Sequence, residues 1–422
     1  MPRQQAQEIV VVTRKGVRAE CVSWMGWVVQ LNILQVADHF GPFGGLEKFI
    51  YDFSRKLAGQ GDTTAIAVID KEERHDWGSE TIDTALIPRD EEQWLAFAKR
   101  YRPDLIVWHT GPATASFVDR LSTLAPVIAT VHSPVCPAGT RLFRDKDEIC
   151  CHPTGAACLM RWYTRRCGTH PEPWLALEAM TRNGKMLKTL RSCDRVYTVS
   201  ESLSRFIEIE GIKPDRLRIF DNTFGDGTGG SETLPPLQIP GDKEELHLLF
   251  VGRISYGKGV QYLLKAVRHL LDQGCSVSGT IVGDGWYAEK LRALCAQLGI
   301  ERSIRFAGQV PGTEMDAFYD TADIVVVPSV WPEPAGLVVP EARRRGKPVV
   351  VFDAGGLPEW QAHMDGIYVA GHADVANLAQ TITDAAFGKP GTRNARAGSG
   401  RLDLIDDLRG FIQLIRKEAA RL

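Results

Sequence analysis

Residues 246–271, LHLLFVGRISYGKGVQYLLKAVRHLL, contain the unit from which most of this chain is built. They begin with an apolar run as long as one buried strand and then turn at Gly252 and Arg253. In the segment that follows, apolar residues recur every three or four positions, which is typical of a helix with one apolar face. A strand, a glycine turn and an amphipathic helix in this order predict one βα unit of a parallel sheet.

The same unit recurs along the chain in two separate series. The earlier series predicts strands at 31–37, 64–69, 104–109, 127–132, 195–200 and 217–222. The later series predicts strands at 246–251, 276–282, 304–307, 323–327, 349–352 and 367–369. Together they predict an α/β protein with two Rossmann-like, doubly wound parallel-sheet domains that face each other across a cleft. Ligands of open α/β sheets bind at the carboxyl ends of the strands, and therefore in that cleft.

Glycines and prolines interrupt the pattern between the two series, which indicates a linker between domains. The predicted organisation is an N-terminal extension (1–30), an N-terminal domain (31–225) with a cysteine-rich insert (133–170), a linker (226–245), a C-terminal domain (246–401) and a closing helix (402–422).

Composition excludes several classes of protein. A chain of 422 residues with 44% hydrophobic residues can fill two cores, and a formal net charge of -2 argues against nucleic acid as a partner. No apolar run reaches the length of a membrane span, and no apolar signal segment directly follows the N-terminus. We therefore expect a cytoplasmic protein, and peripheral contact with a membrane stays open as an alternative.

The segment WPEPAGLVVPEA, residues 331–342, contains two glutamates separated by seven residues. We expect Glu333 in the loop after a buried strand and Glu341 on the following helix, so that both face one ligand. Two carboxylates suit a polyol because each accepts hydroxyl hydrogens. The amides at the helix start, in Gly336, Leu337 and Val338, can meet a diphosphate.

Two features near this segment concern the same helix. Pro340 is tolerated only in the first turn of a helix, so the helix entry could be shifted. The three arginines at 343–345 are interpreted as a solvated helix face.

Two cations follow the first strand of the second series. Arg253 and Lys258 stand where a helix also begins. Cations at such a place can hold a diphosphate and neutralise the charge that grows on it when the bond to a leaving group breaks.

In this order these segments resemble the large retaining glycosyltransferase family 4 of the GT-B fold. The resemblance extends from about residue 31 to the C-terminus and includes further segments at 42–47 (PFGGLE), 130–132 (TVH), 199–202 (VSES), 282–285 (VGDG), 306–310 (FAGQV) and 355–359 (GGLPE). It implies transfer of a sugar from a nucleotide diphosphate sugar to a hydroxyl acceptor: a carbohydrate, a lipid-linked molecule or a small molecule. It also implies retention by front-face attack, without a cofactor and without a metal ion.

The resemblance assigns roles to individual residues. Arg253 and Lys258, beside Gly252, would bind the donor diphosphate, Glu341 the ribose hydroxyls, and Glu333 the transferred sugar. Residues of three other segments would complete the donor site: Gly283, Gln309 and Val310 at the base pocket, Gly44 and Gly45 at the phosphate or acceptor, and His132 near the sugar. For His132 the alternative is a core histidine at a strand end.

The insert carries five of the nine cysteines, Cys136, Cys150, Cys151, Cys158 and Cys167. Three interpretations stay open for these cysteines: reduced structural thiols, zinc ligands and disulfide partners. The irregular spacing of the cysteines along the chain does not decide among the three. Residues 131–195 contain eleven Lys and Arg against six Asp and Glu. This excess fits either an anionic partner, such as a lipid diphosphate acceptor or an anionic membrane surface, or simple unevenness of charge.

Four other functions compete with this interpretation. Asp145 and Asp147 have the spacing of a metal-dependent GT-A enzyme but lie in the polar insert. A GT-B epimerase would use different carboxylates, and a dinucleotide-binding oxidoreductase would need Gly-x-Gly-x-x-Gly, which the glycines at 41–45 do not form. A non-catalytic sensor of sugar nucleotides is the fourth.

Overall fold

The computed structural model of the chain describes residues 12–13, 16–17, 30–41, 44–71, 83–87, 90–168, 170–220, 234–389 and 402–419. Most of the predicted N-terminal extension, the first part of the predicted linker and residues 390–401 before the closing helix lie outside these residues. Near the N-terminus, β1 (Val12–Thr13) pairs antiparallel with β2 (Gly16–Val17).

Seven parallel strands form the N-terminal sheet, in the order β11-β10-β7-β6-β3-β4-β5. The elements are β3 (Asn32–Phe40), α1 (Gly45–Gly59), β4 (Thr63–Lys71), β5 (Asp83–Leu86), α2 (Glu91–Tyr101), β6 (Leu105–His109), α3 (Ala115–Leu121), β7 (Val127–Val131), then β8 (Leu142–Phe143), β9 (Glu148–Ile149) and α4 (Ala157–Thr164) of the insert, and finally α5 (Pro173–Ser192), β10 (Arg195–Thr198), α6 (Glu201–Ile209) and β11 (Leu217–Ile219).

Burial explains which strands the sequence reveals. Every residue of β6 and β7 is buried, because helices cover both faces of a parallel sheet, and such strands appear as continuous apolar runs. A strand occurs at each of the six predicted places of this domain, and residues 221–222 of the last prediction lie outside the described residues. The strand β5 was missed, because a short edge strand with the sequence Asp-Thr-Ala-Leu has no apolar run.

Six parallel strands form the C-terminal sheet, in the order β14-β13-β12-β15-β16-β17. The elements are β12 (Leu246–Val251), α7 (Val260–Asp272), β13 (Val277–Val282), α8 (Ala288–Leu298), β14 (Ile304–Gly308), α9 (Met315–Thr321), β15 (Ile324–Val327), α10 (Val338–Arg344), β16 (Val349–Phe352), β17 (Ile367–Ala370) and α11 (Val375–Ala386). The predicted strands of this series are confirmed within one residue at each end. Two parallel sheets with helices around them confirm the predicted fold class.

The last helix, α12 (Leu404–Ala419), returns to the N-terminal sheet. Its apolar face, with Leu404, Leu408 and Ile412, is buried in the N-terminal core. Arg195 and Tyr197 of β10 both bond to Asp407. The chain therefore crosses between the domains twice. Separately, no helix in the described residues is long and apolar enough to span a bilayer.

The interpretation of all three arginines at 343–345 as a solvated face is wrong for Arg343. This side chain is 2% exposed; its guanidinium bonds to Asp365 at 2.6 Å and to the carbonyl of Pro235 at 2.7 Å. It thereby attaches the predicted linker, at Pro235, to the C-terminal domain. The arginine was misassigned because side-chain burial depends on a distant segment that the local pattern does not contain.

Candidate active site

The order of strands in the C-terminal sheet predicts where its ligand site lies. From β12 the chain proceeds outward through β13 and β14, and it then returns to the other side of β12 with β15. The loops after β12 and β15 therefore diverge from neighbouring strands, which opens a crevice at their carboxyl ends. Arg253 and Lys258 lie in the first of these loops, and Glu333 lies in the second.

Lys258 and Glu333 meet in this crevice. The Lys258 ammonium is 2.8 Å and 2.7 Å from the two carboxylate oxygens of Glu333. Oε2 of Glu333 also accepts from Ser329 Oγ at 3.0 Å and from Trp331 Nε1 at 2.7 Å. The Lys258 ammonium lies 5.1 Å from the centroid of the Trp331 indole ring. The ammonium is therefore held in one place, while Oε1 of Glu333 accepts only from Lys258 among the described residues.

Electrostatics keeps the Glu333 carboxylate ionised. Burial by itself raises the pKa of Glu333, but the Lys258 charge and the donated hydrogen bonds outweigh burial and leave that pKa below its ordinary value. The carboxylate is consequently charged at neutral pH, and it compensates the ammonium in a site where both side chains are largely removed from water.

Backbone contacts hold the loop that carries the two cations. The carbonyl of Gly257 accepts from the amides of Val330 and Trp331 at 2.8 Å and 3.2 Å. A Cβ at Gly283 would lie 1.9 Å from the carbonyl oxygen of Gly252, so the loops after β12 and β13 touch through backbone alone. Both glycines were predicted at the donor site. At Gly283 the carbonyl of Gly252 excludes a side chain, and at Gly252 the φ of 150° favours glycine.

Gly259 gives a testable consequence of this packing. Its φ is 73°, and a Cβ there would lie 1.7 Å from the carbonyl oxygen of Pro328. We expect Gly259→Ala to lower the free energy of unfolding by about 3 kcal/mol or more, because backbone strain and a clash add. The matched control is Gly274→Ala, at φ 84° with open space around it, which should cost only about 1 kcal/mol. Urea denaturation measures both; equal costs would contradict the close approach.

Arg253 differs from Lys258 in its surroundings. It is exposed, and no hydrogen bond or ion pair joins its side chain to any other described residue. The loop thus presents one fixed cation and one cation that is free to turn toward a ligand.

Glu341 lies in the first half of α10, with Pro340 in the first turn of that helix, as proline requires. Among the described residues only Tyr319 donates to the Glu341 carboxylate, at 3.3 Å. Burial raises the pKa of Glu341, although the Tyr319 hydroxyl and the charges of Arg345 and Lys48 oppose the rise. Most of its acceptor positions are therefore available to a ligand.

The N-terminal domain faces this helix with the start of α1. A Cβ at Gly45 would lie 3.9 Å from Cδ1 of Leu337, so the glycine turn of one domain touches the loop before α10 of the other. Gly44 has φ 154°, and a Cβ there would collide with the buried carboxylate of Glu47. Gly336, Leu337 and Val338, which were predicted as donor contacts, therefore lie opposite Gly44 and Gly45.

His132 follows β7 and is partly exposed. Its ring lies 4.5 Å from the ring of Phe49 between centroids, and its Nε2 is 3.1 Å from Thr130 Oγ1. Burial lowers the pKa of His132 to about 3, so the imidazole is neutral at physiological pH. Neutral imidazole can exchange a hydrogen bond with a ligand but supplies no charge.

Two predicted residues stand apart from the Lys258–Glu333 pair. Gln309 and Val310 follow β14, the edge strand, two strands away from the crevice. Gln309 is exposed, and Val310 packs against the C-terminal core.

The structure adds a contact that the sequence did not reveal. Asp147, at the turn between β8 and β9, accepts hydrogen bonds from Tyr256 at 2.8 Å and from Tyr262, and its backbone carbonyl bonds to His372 at 2.7 Å. Tyr256 stands between Arg253 and Lys258, so the insert reaches the loop that carries both cations. Asp145 is instead paired with Arg165 within the insert. The two carboxylates of the Asp-x-Asp pattern thus have different partners.

Asp147 permits a test of this bridge. We expect Asp147→Asn to speed amide hydrogen exchange in residues 142–149, because asparagine keeps the left-handed turn (φ 54°) but can accept from only one of the tyrosines. Asp145→Asn is the matched control and should leave exchange across β8 and β9 near that of the wild type. Equal exchange in both variants would show that the bridge does not hold the insert.

The cysteines of the insert lie mostly around one cavity. Cys136, Cys150, Cys158 and Cys167 line it, whereas Cys151 is exposed. Burial raises the pKa of Cys167 to about 12, and it also raises the pKa values of Cys136 and Cys150, so these thiols are protonated at neutral pH. Eight cysteines are free in the described part of the chain, and no cluster of three or more His, Cys, Asp or Glu there is arranged to hold a metal ion.

Comparison with known protein families gives two matches that together cover most of the chain. Residues 43–223 match the model of Glycosyltransferase Family 4, and residues 237–396 match that of Glycosyl transferases group 1. The matches correspond to the two sheets described above.

Curated relatives align over part of their length. An uncharacterized glycosyltransferase of Methanocaldococcus jannaschii is 35% identical over 48% of this chain and 53% of the relative. A D-inositol 3-phosphate glycosyltransferase of Corynebacterium jeikeium is 38% identical over 38% of this chain and 36% of the relative. The chain therefore spans about half or less of the curated relatives that it matches.

Solved structures match over more of the chain. A sucrose-phosphate synthase of Thermosynechococcus elongatus superposes with a TM-score of 0.64 at 18% identity, covering 93% of this chain and 100% of that one. An Anabaena protein in complex with UDP-glucose superposes with a TM-score of 0.59 at 17% identity, with the same coverage. These similarities show the two-domain GT-B fold. The two family matches identify the chain as a group 1 glycosyltransferase, and family 4 fits its N-terminal domain.

Proposed function

We propose that this chain transfers a sugar from a nucleotide diphosphate sugar to a hydroxyl group of an acceptor, with retention of the anomeric configuration. The observation that carries the proposal is the Lys258–Glu333 pair beside the free Arg253, at the switch point of the C-terminal sheet. Cations at this place suit a diphosphate, and the neighbouring carboxylate suits a sugar ring. The complex of the Anabaena protein with UDP-glucose supports a nucleotide sugar as the donor.

In this proposal the two carboxylates bind different parts of the donor. Glu341 has acceptor positions to spare and lies on a helix, so it holds the ribose hydroxyls. Oε2 of Glu333 accepts from Ser329, Trp331 and Lys258, whereas Oε1 accepts from Lys258 alone among the described residues, so Oε1 faces the transferred sugar. Glu333 thereby has a second task, since it fixes the position of Lys258.

Transfer then proceeds by front-face attack of the acceptor hydroxyl, with the leaving phosphate helping to remove the proton. The described site offers this reaction positioning and charge: Arg253 and Lys258 stabilise the diphosphate as the bond to the sugar breaks. Neutral His132 contributes a hydrogen bond near the sugar. We expect transfer to persist in excess chelator, and loss of activity that Mg²⁺ or Mn²⁺ restores would contradict a metal-independent reaction.

The acceptor enters from the N-terminal domain, where the insert reaches the cation loop through Asp147. A carbohydrate, a lipid-linked molecule or a small molecule would serve as the acceptor. The enzyme would then act in the synthesis of a glycan, a glycolipid or a glycosylated metabolite. The excess of positive charge in residues 131–195 favours an anionic acceptor among these.

Replacement of each glutamate by alanine in turn tests whether the two carboxylates have different roles. We expect Glu341→Ala to weaken nucleotide binding, because it removes the acceptors for ribose, and Glu333→Ala mainly to lower the transfer rate. A thermal-shift screen with UDP, GDP, ADP and dTDP identifies the nucleotide first, since a ligand that binds the native state raises its stability. Calorimetry with that nucleotide then compares the variants, and unchanged affinity in Glu341→Ala would contradict the ribose assignment.

A non-catalytic sensor of sugar nucleotides is the alternative that this site also accommodates. The distinguishing measurement is slow hydrolysis of the donor sugar in the absence of acceptor. Release of free sugar that depends on Arg253 supports the transferase, whereas tight binding without any hydrolysis supports the sensor.

A further inference from the structure

The helices α4 and α5 carry a concentrated apolar surface. Eleven large hydrophobic side chains are exposed among the described residues, and five of them lie within residues 159–177. These five are Leu159 (40%), Met160 (60%), Tyr163 (43%), Trp174 (68%) and Leu177 (60%). Scattered exposed hydrophobics are normal, but a group on two helices that pack against each other marks an interaction site. We call these five residues, with the exposed basic side chains that follow them on α5, the α4–α5 face.

The spacing of these side chains directs them away from the core. In α4, Leu159, Met160 and Tyr163 share one side of the helix, and Trp162 on the other side is 4% exposed. In α5, Trp174 and Leu177 are one turn apart, while Ala176 is fully buried. Both helices therefore anchor one face in the protein and leave an apolar face without a partner in the described chain.

Positive charge continues this face along α5. Lys185 and Lys188 are exposed on the same side of the helix as Trp174 and Leu177, and Arg182 is exposed on the flank of that side. Arg182 pairs with Glu178 at 3.0 Å, whereas no acidic side chain in the described residues pairs with Lys185 or Lys188. Residues 157–192 contain seven Lys and Arg against two Glu, in a chain whose formal net charge is -2.

We propose that the α4–α5 face docks the protein on the surface of an anionic lipid bilayer. The aromatic and aliphatic side chains enter the interfacial region, and the basic residues of α5 meet the headgroups. The proposal is independent of the donor chemistry at Lys258, because α4 and α5 belong to the other domain.

A second copy of the chain would also cover the apolar residues, but charge disfavours it. A symmetric dimer brings the same patch of both copies together, so Lys185 and Lys188 of one would approach those of the other. Anionic lipids instead neutralise this charge. The bilayer is therefore the occupant that satisfies both the apolar and the basic part of the face.

Vesicle flotation at low salt tests the proposal with the full chain. We expect the wild type to float with vesicles of phosphatidylglycerol and phosphatidylcholine, and to remain at the bottom with phosphatidylcholine alone. Trp174→Ser with Leu177→Ser should weaken binding on the order of tenfold or more, because two large apolar side chains leave the bilayer. Lys185→Gln with Lys188→Gln should make the remaining binding less sensitive to salt.

Control variants remove similar groups elsewhere. Leu414→Ser changes a side chain that is 48% exposed on α12, and Lys213→Gln changes an exposed cation after α6; both should float like the wild type. Circular dichroism and thermal melts establish that each variant is folded. Equal flotation of the wild type and the Trp174/Leu177 variant would overturn the proposal. It would also be overturned if the wild type did not float, or if sedimentation showed a dimer that the Trp174/Leu177 variant abolishes.

Discussion

Replacement of Arg253 by alanine is expected to lower kcat by on the order of a hundredfold to a thousandfold, with little change in the stability of the fold. The side chain is exposed and has no partner in the described structure, so its removal exposes no buried charge. Cleavage of the sugar–phosphate bond moves negative charge onto the diphosphate, and a cation held there stabilises the transition state more than the ground state. Steady-state kinetics at saturating donor measures the effect.

Arg253→Lys should restore this activity only in part. Arginine presents a planar fork to two phosphate oxygens, whereas lysine acts as a point charge. The matched control is Arg344→Ala, which removes an exposed arginine on the same domain and should retain the wild-type kcat. A folded Arg253→Ala protein with near wild-type kcat would show that the diphosphate does not bind at this loop.

Lys258 should behave differently, because its loss affects both the fold and the reaction. Lys258→Met leaves the Glu333 carboxylate buried without its ammonium, and removal of one partner of a buried pair typically costs about 3 to 5 kcal/mol. Glu333→Gln in the same protein removes the stranded charge, so the double variant should recover much of that loss. Neither variant should recover the transfer rate, since the cation is absent from both.

Urea denaturation of the wild type, the two single variants and the double variant completes this thermodynamic cycle. Single variants whose costs simply add in the double variant would show that the pair is not coupled in the folded protein. Recovery of stability together with kcat would show that Lys258 serves the fold alone.

The sequence alone was sufficient for the parallel sheets, because buried parallel strands are continuous apolar runs. Of the seven strands of the N-terminal sheet only β5 escaped, since an edge strand contacts one neighbour and needs no such run. The glycine turns at Gly44 and Gly252 could be found from the sequence as well, because a backbone conformation or a close approach that excludes side chains leaves a glycine at a defined place.

The candidate site was predictable as a set of residues but not as a set of contacts. The loop after β12 carries Arg253 and Lys258, and the loop after β15 carries Glu333. Lys258 and Glu333 are 75 residues apart in the chain, and the strand order brings their loops together at the switch point. Sequence reasoning placed Lys258 against a diphosphate and Glu333 against a sugar; it did not foresee the ion pair that joins them. The division of roles between Glu333 and Glu341 stays a prediction.

Only the tertiary structure determines the burial and the hydrogen bonds of side chains whose partners are distant in the sequence. Arg343 has the charge of a surface residue, yet Asp365 and the carbonyl of Pro235 make its burial favourable. Asp147 looked like half of a metal motif, but Tyr256 and Tyr262 of the other domain donate to it. A local pattern records the periodicity of a strand or a helix, because neighbours in the chain create it. It does not record a hydrogen bond between residues more than a hundred positions apart, because only the packing of the two domains brings those atoms within reach.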